Sequence, residues 1–521
     1  MLSKSRLVNS ILLAIATLLG VVVCQRATIS ADTIRFNYSL LGFKIEVKDL
    51  EDFAKQGKVS NSLNFYLKRL PPQQTQKLQQ FLTQSYDVDP VLVYRYSRTS
   101  VGVKMLQRIG EIIQLPGNLN GFYGLRAAIV QAAESPTGIN LIEFLKRFPT
   151  EIALDLGELL ELIGKITETE KQTARFIESL AKDGGEKPKS KLNIPDLSQS
   201  GRYRAIAKTW KFFDKQRDRH LISDLYLPQG KTDTIPVIVV SNGLGAKRDR
   251  FGELASHLAS YGFAVVIPDH PGSDRRRQKA FLNGLYRENF DATDFWDRPR
   301  DISFILDELE RINPSDFKNK LDLQRVGIFG YSIGGTTALA LAGAKIDFQR
   351  LKRECDRPLN LLNISILYQC RARELPQLQQ SLKDDRIKAA FMFVPFGNSL
   401  FSQQSLQQIS IPVMFQVVER DFLTSLLEEQ LPLYNSLARS DRYFVVSQGL
   451  PHSNVTLSNR QQLGQEKKSE VAKTYQNILS TIFFKGYIAK ESSYISYLNK
   501  EYLRAIAREP YNLYLLAKPS I

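Results

Sequence analysis

The sequence predicts an α/β fold with a doubly wound, mostly parallel sheet, preceded by a mainly helical N-terminal domain. Two observations carry this. Beyond residue 199, short β-branched runs alternate with helical stretches, the pattern of a parallel sheet covered on both faces. Between residues 32 and 185, apolar residues recur at helical spacing instead. A third observation separates the halves: the stretch Asp183-Gly184-Gly185-Glu186-Lys187-Pro188-Lys189-Ser190-Lys191 is rich in Gly, Pro and charge and has no apolar period.

In the first half, Leu50, Phe53 and Ala54 fall on one helical face. Further helices are predicted over 72–84, 101–113, 121–133, 141–148 and 154–166, with Pro71-Pro72, Pro116-Gly117 and Pro136 as punctuation. In the second half, strands are predicted at 221–227, 236–240, 264–267, 326–329, 389–394, 413–418 and 443–446. Pro236-Val237-Ile238-Val239-Val240 is the clearest, a continuous run suited to burial on both faces. Helices are predicted at 248–261, 299–312 and 335–344, and the C-terminal 494–516 also reads as helical. The expected organisation is a signal peptide over 1–31, a helical accessory domain over 32–185, a linker over 186–198, and the α/β domain with C-terminal helices over 199–521.

A chain of 521 residues exceeds one ordinary domain of about 100–200 residues. With 43% hydrophobic and 24% charged residues it is globular in composition. The formal charge of +16 is spread along the chain. No RNA-binding signature, helix-turn-helix pattern or zinc-ligand spacing accompanies it, so a nucleic-acid partner is set aside. The basic balance points instead to peripheral contact with an anionic membrane surface or to acidic substrates; a basic surface with no special partner is the alternative.

At the N-terminus, Lys4 and Arg6 precede an apolar run from Ile11 to Val23, and Ile29-Ser30-Ala31 offers a cleavage site. This predicts export to the periplasm or cell envelope. An uncleaved anchor is the alternative, although the run is short of the about 20 residues that span a bilayer. After cleavage only Cys355 and Cys370 remain. In an oxidising compartment they can close a loop worth about 3 kcal/mol; two unpaired buried thiols is the alternative.

The chemistry is concentrated in Gly330-Tyr331-Ser332-Ile333-Gly334-Gly335. A G-x-S-x-G pattern gains meaning when it joins a buried strand to a helix, as here. The turn exposes the serine, the glycines give the strained backbone and the helix room, and the helix N-terminus supplies N–H groups. Ser332 is the candidate nucleophile of an α/β-hydrolase fold. The acid and base then follow in the order Ser, acid, His. Of the four histidines only His452 follows the last candidate strand. His220 and His257 read as structural, and His270 precedes Ser332 but is placed to line the site. Asp421, just past the 413–418 strand, is the expected acid, to hold the imidazole tautomer. Glu419 competes with it. The loop Phe393-Val394-Pro395-Phe396-Gly397-Asn398 carries no carboxylate of its own. The expected oxyanion donors are the backbone N–H groups of Ile333 and Leu244, the latter in Ser241-Asn242-Gly243-Leu244-Gly245. Asn242, Gly243, Tyr331 and His270 are the expected substrate-binding residues. No metal or cofactor is required.

Several of these stretches together resemble one group of enzymes. Ser241–Gly245, Leu258–Val265, Asp269-His270-Pro271-Gly272-Ser273 and Gly330–Gly335 are similar to dienelactone-hydrolase-like and platelet-activating-factor acetylhydrolase-like α/β hydrolases. Phe36–Ser39, Leu50–Gly57 and Gly121–Ala128 resemble the helical domain of unknown function found in exported cyanobacterial α/β hydrolases. The resemblance implies the fold and the triad. It does not transfer a substrate: dienelactone hydrolases use Cys where this chain has Ser332, and the acetylhydrolases place the acid elsewhere.

The expected activity is carboxylic-ester hydrolysis through an acyl-enzyme, with lipid esters as the first substrate class. Export, basic charge and the run Arg275-Arg276-Arg277, which can face an anionic headgroup, motivate that choice; a solvated loop is the alternative for the run. A catalytically weak envelope binding module, or a peptidase or thioesterase on the same triad, are the alternative functions. The stretch from Lys345 to Asp385 is the candidate cap.

Overall fold

The computed structural model describes residues 31–38, 41–183, 195–377, 381–438, 441–450, 452 and 462–516. All but the last residue of the expected export segment, and most of the expected linker, lie outside these. The chain forms two compact units, one of the described residues up to Tyr94 with Leu106–Glu161, the other of Arg95–Met105 with Leu162 onward. The division therefore falls inside the long helix Leu156–Asp183, not in the charge-rich stretch after it. The reason is packing: Ile177 and Leu180 belong to the core of the second unit.

In the first unit, helix Val47–Gln56 buries Val47, Leu50, Phe53 and Ala54 and stops at Gly57 in the left-handed conformation, with φ 68. Helices Pro72–Thr83, Phe122–Ala133 and Leu141–Lys146 fall where the apolar period predicts them. The unit also contains a sheet that the helical reading missed. Its strands are β1 (Thr33–Tyr38), β2 (Leu41–Glu46), β3 (Ile113–Gln114) and β4 (Ile152–Leu154), in the order β2-β1-β4-β3. β3 and β4, of two and three residues, are too short to show a period.

Among its described residues the second unit is built on nine strands: β5 (Ala205–Asp214), β6 (Arg219–Pro228), β7 (Ile235–Ser241), β8 (Ala264–Pro268), β9 (Leu321–Tyr331), β10 (Ile387–Phe393), β11 (Val413–Val418), β12 (Arg442–Ser447) and β13 (Leu513–Leu516). Their order is β13-β12-β11-β10-β9-β7-β8-β6-β5. The six from β8 to β12 are parallel neighbours, and β5, β6 and β13 are added antiparallel. The parallel strands are buried on both faces, which is why their sequences are continuous apolar runs.

Helices cover each face. On one, α1 (Gly252–Ser260) and α6 (Gln462–Tyr487) pack Leu254, Leu258, Tyr475, Leu479 and Ile482 against Val240, Phe329 and Phe391. On the other, α3 (Asp294–Phe317) and α4 (Ile333–Leu341) pack Ile302, Ile305, Leu306 and Leu339 against Val239, Ile328 and Met392. Between them in sequence come α2 (Arg275–Leu282), and α5 (Ser365–Gln369) in the candidate cap. This is the α/β-hydrolase fold. The parallel strands bring the loops after β7, β8, β9, β10, β11 and β12 to one edge of the sheet.

Two details correct the sequence reading. The C-terminal stretch is not wholly helical: beyond Pro510, Leu513–Leu516 pairs antiparallel with β12. Residues 95–105, expected in the accessory domain, belong to the second unit. There Tyr96 donates its hydroxyl to Gln278 Oε1 at 3.1 Å, and Ser100 donates its N–H and hydroxyl to Glu288 at 2.9 and 2.7 Å. Cys355 and Cys370 form a disulfide, with Cα atoms 5.7 Å apart.

Candidate active site

Ser332 stands where β9 turns into α4, with φ 54 and ψ −118. A non-glycine residue at positive φ costs about 1–3 kcal/mol and persists only where its surroundings hold it. They do so here. Ser332 N–H donates to Phe393 O in β10 at 2.9 Å, and its carbonyl accepts from Gly335 N–H at 2.8 Å. The flanking glycines are required by space. A Cβ on Gly330 would overlap the Gly334 carbonyl, and one on Gly334 would overlap the Ser241 carbonyl.

The turn after β7 lies against this serine. A Cβ on Gly243 would sit 3.7 Å from Ser332 Cβ and 2.6 Å from the Tyr331 ring. Ile333 is the first residue of α4, so its N–H has no acceptor within the helix. Among the described residues neither Ile333 N–H nor Leu244 N–H has a hydrogen-bond acceptor. N–H groups without an acceptor, in the turn after β7 and at the start of α4, are the kind of donor an oxyanion needs.

Asp421 follows β11 and is buried. Its Oδ1 accepts from Leu423 N–H and Thr424 N–H, both at 2.9 Å. Its Oδ2 accepts from the Thr424 hydroxyl at 2.6 Å and from His452 Nδ1 at 2.6 Å. With its proton on Nδ1, the neutral imidazole presents a lone pair at Nε2. Tyr331 donates its hydroxyl to the His452 carbonyl at 3.2 Å, linking the residue before the serine to the histidine. Among the described residues, no hydrogen bond joins Ser332 Oγ to the imidazole. Glu419, the competing acid, instead accepts from Gly449 N–H at 3.2 Å.

Two expected substrate contacts are corrected. Tyr331 is only 6% exposed: it stacks on Phe393, meets Phe251 edge-on and carries the Arg250 guanidinium over its ring. It braces the site from within. His270 is 2% exposed, with Nε2 3.0 Å from Ser241 Oγ and Nδ1 3.5 Å from Asp301. It supports the turn after β7 and does not line an open wall. Asn242 is also buried; its carbonyl accepts from Arg298, while its side-chain oxygen has no partner among the described residues.

Sequence reasoning missed several residues that organise the site. Thr424 stands three residues after Asp421, a spacing that could have flagged a local carboxylate–hydroxyl turn. Glu429 is fully buried and accepts from Gly397 N–H and Asn398 N–H, both at 2.7 Å, and from Asn363 and Gln369. A carboxylate thus reaches the loop after β10 from a distant position and ties it to the candidate cap. Arg298 gave no signal in the sequence.

The arginine run also reads differently in three dimensions. Arg277 is buried against Asp291 and the Tyr286 ring, and Arg276 pairs with Asp269 and Asp274. Among the described residues Arg275, which is exposed, has no ion pair. Two of the three arginines thus hold internal carboxylates.

Burial pushes the His270 imidazole down to about 4, with the Arg298 charge adding to it. Desolvation likewise lowers His257 to about 4. Unfolded, both rings protonate below the ordinary 6.5. Above that pH neither ring costs stability. As pH falls from 6.5 toward 4 the unfolded chain takes up protons that the folded chain refuses. Each ring is expected to remove about 3 kcal/mol over that window. Urea midpoints measured from neutral pH down to about pH 4 check this; His257→Gln is expected to flatten part of the slope.

Among the described residues there is no group of His, Cys, Asp and Glu that could hold a metal, and no helix is long and apolar enough to cross a membrane. Residues 30–155 match a family described as alpha/beta hydrolase of unknown function (DUF1400), and residues 236–353 match the alpha/beta hydrolase fold family. The chain is also similar to cutinase est2 of Thermobifida alba, 21% identical over 237 residues. That stretch is 45% of this chain and 58% of the cutinase, so the chain spans little more than half of that relative's length. These likenesses, and the geometry at the carboxyl edge of the sheet, support a hydrolase.

Proposed function

We propose that this protein is a serine hydrolase of carboxylic esters, lipid esters among them, acting through Ser332, His452 and Asp421. One observation carries the reading: a buried aspartate and a histidine from the loops after β11 and β12 meet at 2.6 Å, on the edge where Ser332 stands at positive φ.

The mechanism follows from these positions. Ser332 Oγ attacks the ester carbon as His452 Nε2 takes its proton. The carbonyl oxygen becomes an oxyanion and receives the N–H groups of Ile333 and Leu244. His452 then protonates the departing alkoxide. Water then attacks the acyl carbon while giving a proton to the same nitrogen; the bond to Ser332 Oγ breaks as the imidazolium returns that proton to it, releasing the acid and the free serine. Asp421 stays ionised and stabilises the imidazolium; its other acceptor sites are filled by Leu423 and Thr424, so it does not rotate away.

An apolar acyl substrate is supported by Phe422 and Leu423, 73% and 38% exposed directly beside Asp421. The similarity to a cutinase supports ester chemistry. The disulfide supports the exported placement that the N-terminal sequence implies. A panel of p-nitrophenyl esters from acetyl to long-chain acyl tests the reading. Saturable hydrolysis is expected, strongest with apolar acyl chains. Hydrolysis of thioesters or peptides alone would move the function to the alternatives on the same triad. No turnover of any acyl substrate would leave a binding module.

A further inference from the structure

Helix α3 presents three charged residues, Asp294, Arg298 and Asp301, on one face at helical spacing, each 0–1% exposed. Charged side chains are seldom buried so completely unless they are paired. These meet the two turns behind the candidate oxyanion donor. Arg298 Nη1 donates to the Asn242 carbonyl at 2.6 Å. Its Nε and Nη2 donate to Ser273 Oγ at 2.9 and 2.7 Å, and Asp294 lies 3.4 Å from Nε. The Ser273 hydroxyl in turn donates to Asp294 Oδ2. The Ser273 carbonyl accepts Gly245 N–H at 2.8 Å, closing the circuit onto the turn that contains Leu244. Three residues along, Asp301 meets His270, whose other nitrogen reaches Ser241.

We propose that Arg298 is the positioning residue of the oxyanion turn: by holding the Asn242 carbonyl on one side and Ser273 on the other, it fixes the direction of Leu244 N–H. The inference rests on the serine-hydrolase reading above. Gly243 and Gly245 flank Leu244 and give the turn freedom that some external contact must remove. The planar guanidinium fork can bind both turns at once, and a lysine ammonium at that place cannot reproduce the geometry. Arg298 touches no reacting atom, so its effect is on the transition state through the placement of one donor. Losing one oxyanion donor costs about 10²–10³-fold in kcat.

The test compares the full-length wild type with Arg298→Lys, Arg298→Gln and Ser273→Ala. Readouts are kcat and KM on a p-nitrophenyl ester, inhibition by an alkyl boronic acid (a mimic of the tetrahedral adduct), and thermal midpoint. Folded Arg298→Lys is expected to lose about 10-fold in kcat and Arg298→Gln about 10²-fold or more. KM should stay within about threefold, and boronate affinity should fall in parallel with kcat. Ser273→Ala keeps the buried charge pair, so it reports even if the Arg298 variants do not fold; about a 10-fold loss in kcat is expected. Unchanged kcat and boronate affinity in the folded variants, or a loss confined to KM, would overturn the proposal. An inactive wild type that no fluorophosphonate labels would overturn the serine-hydrolase reading itself, a distinct outcome.

Discussion

Ser332→Ala is expected to lower kcat on p-nitrophenyl esters by about 10⁴–10⁶-fold while leaving the thermal midpoint nearly unchanged. The two halves of that expectation have separate causes. The hydroxyl is the attacking group, and the N–H donors at Ile333 and Leu244 can only polarise a carbonyl for water, which leaves a small residual rate. The fold, in contrast, is held by Ser332 main-chain atoms, bonded to Phe393 and Gly335. Alanine has the same Cβ at the same positive φ, so the strain is neither relieved nor increased. KM should move little, because the serine supplies almost none of the surface that binds the acyl chain. A variant that loses activity together with stability would point to a structural serine instead.

Asp421→Asn is expected to lower kcat by about 10³–10⁴-fold at neutral pH. An asparagine oxygen can still accept from Leu423 and Thr424 N–H, so the turn should survive. The amide nitrogen then faces His452 Nδ1 and cannot accept its proton. The favoured tautomer becomes the one with the proton on Nε2, where the lone pair is needed. Glu419→Gln supplies the contrast. Its carboxylate bonds Gly449 N–H, which an amide oxygen can also do, and kcat should stay within about threefold. Steady-state kinetics on the two variants separates the acids that the sequence left in competition.

Which parts of this were legible in the sequence follows from what each part is made of. β7 to β12 are buried on both faces, so burial itself writes a continuous apolar run. β5 was missed because most of Ala205–Asp214 is exposed, with lysines at 208 and 211, and it earns its place by pairing along β6. β13 was missed because a four-residue edge strand beyond Pro510 has no period to read. The candidate nucleophile, acid and base stood out because strand ends and chain order constrain them strongly. Their supports did not. Arg298 acts on Asn242 from 56 residues away, and Glu429 acts on Gly397 from 32 away, so no local pattern could announce either. For the same reason the partners of Arg276 and Arg277 were not legible, since the carboxylates at 269, 274 and 291 that pair with them are placed by the fold. His270 was misplaced for a related reason: a strand end can point a ring into the core as readily as into a cleft.

The central claim is that Ser332 is an activated nucleophile, and covalent labelling tests it most directly. Wild-type protein treated with a fluorophosphonate at neutral pH should gain one adduct per chain, located by peptide mass spectrometry on Ser332. Labelling should slow by orders of magnitude in Asp421→Asn. An unlabelled wild type, or an adduct on another residue with Ser332 untouched, would contradict the account.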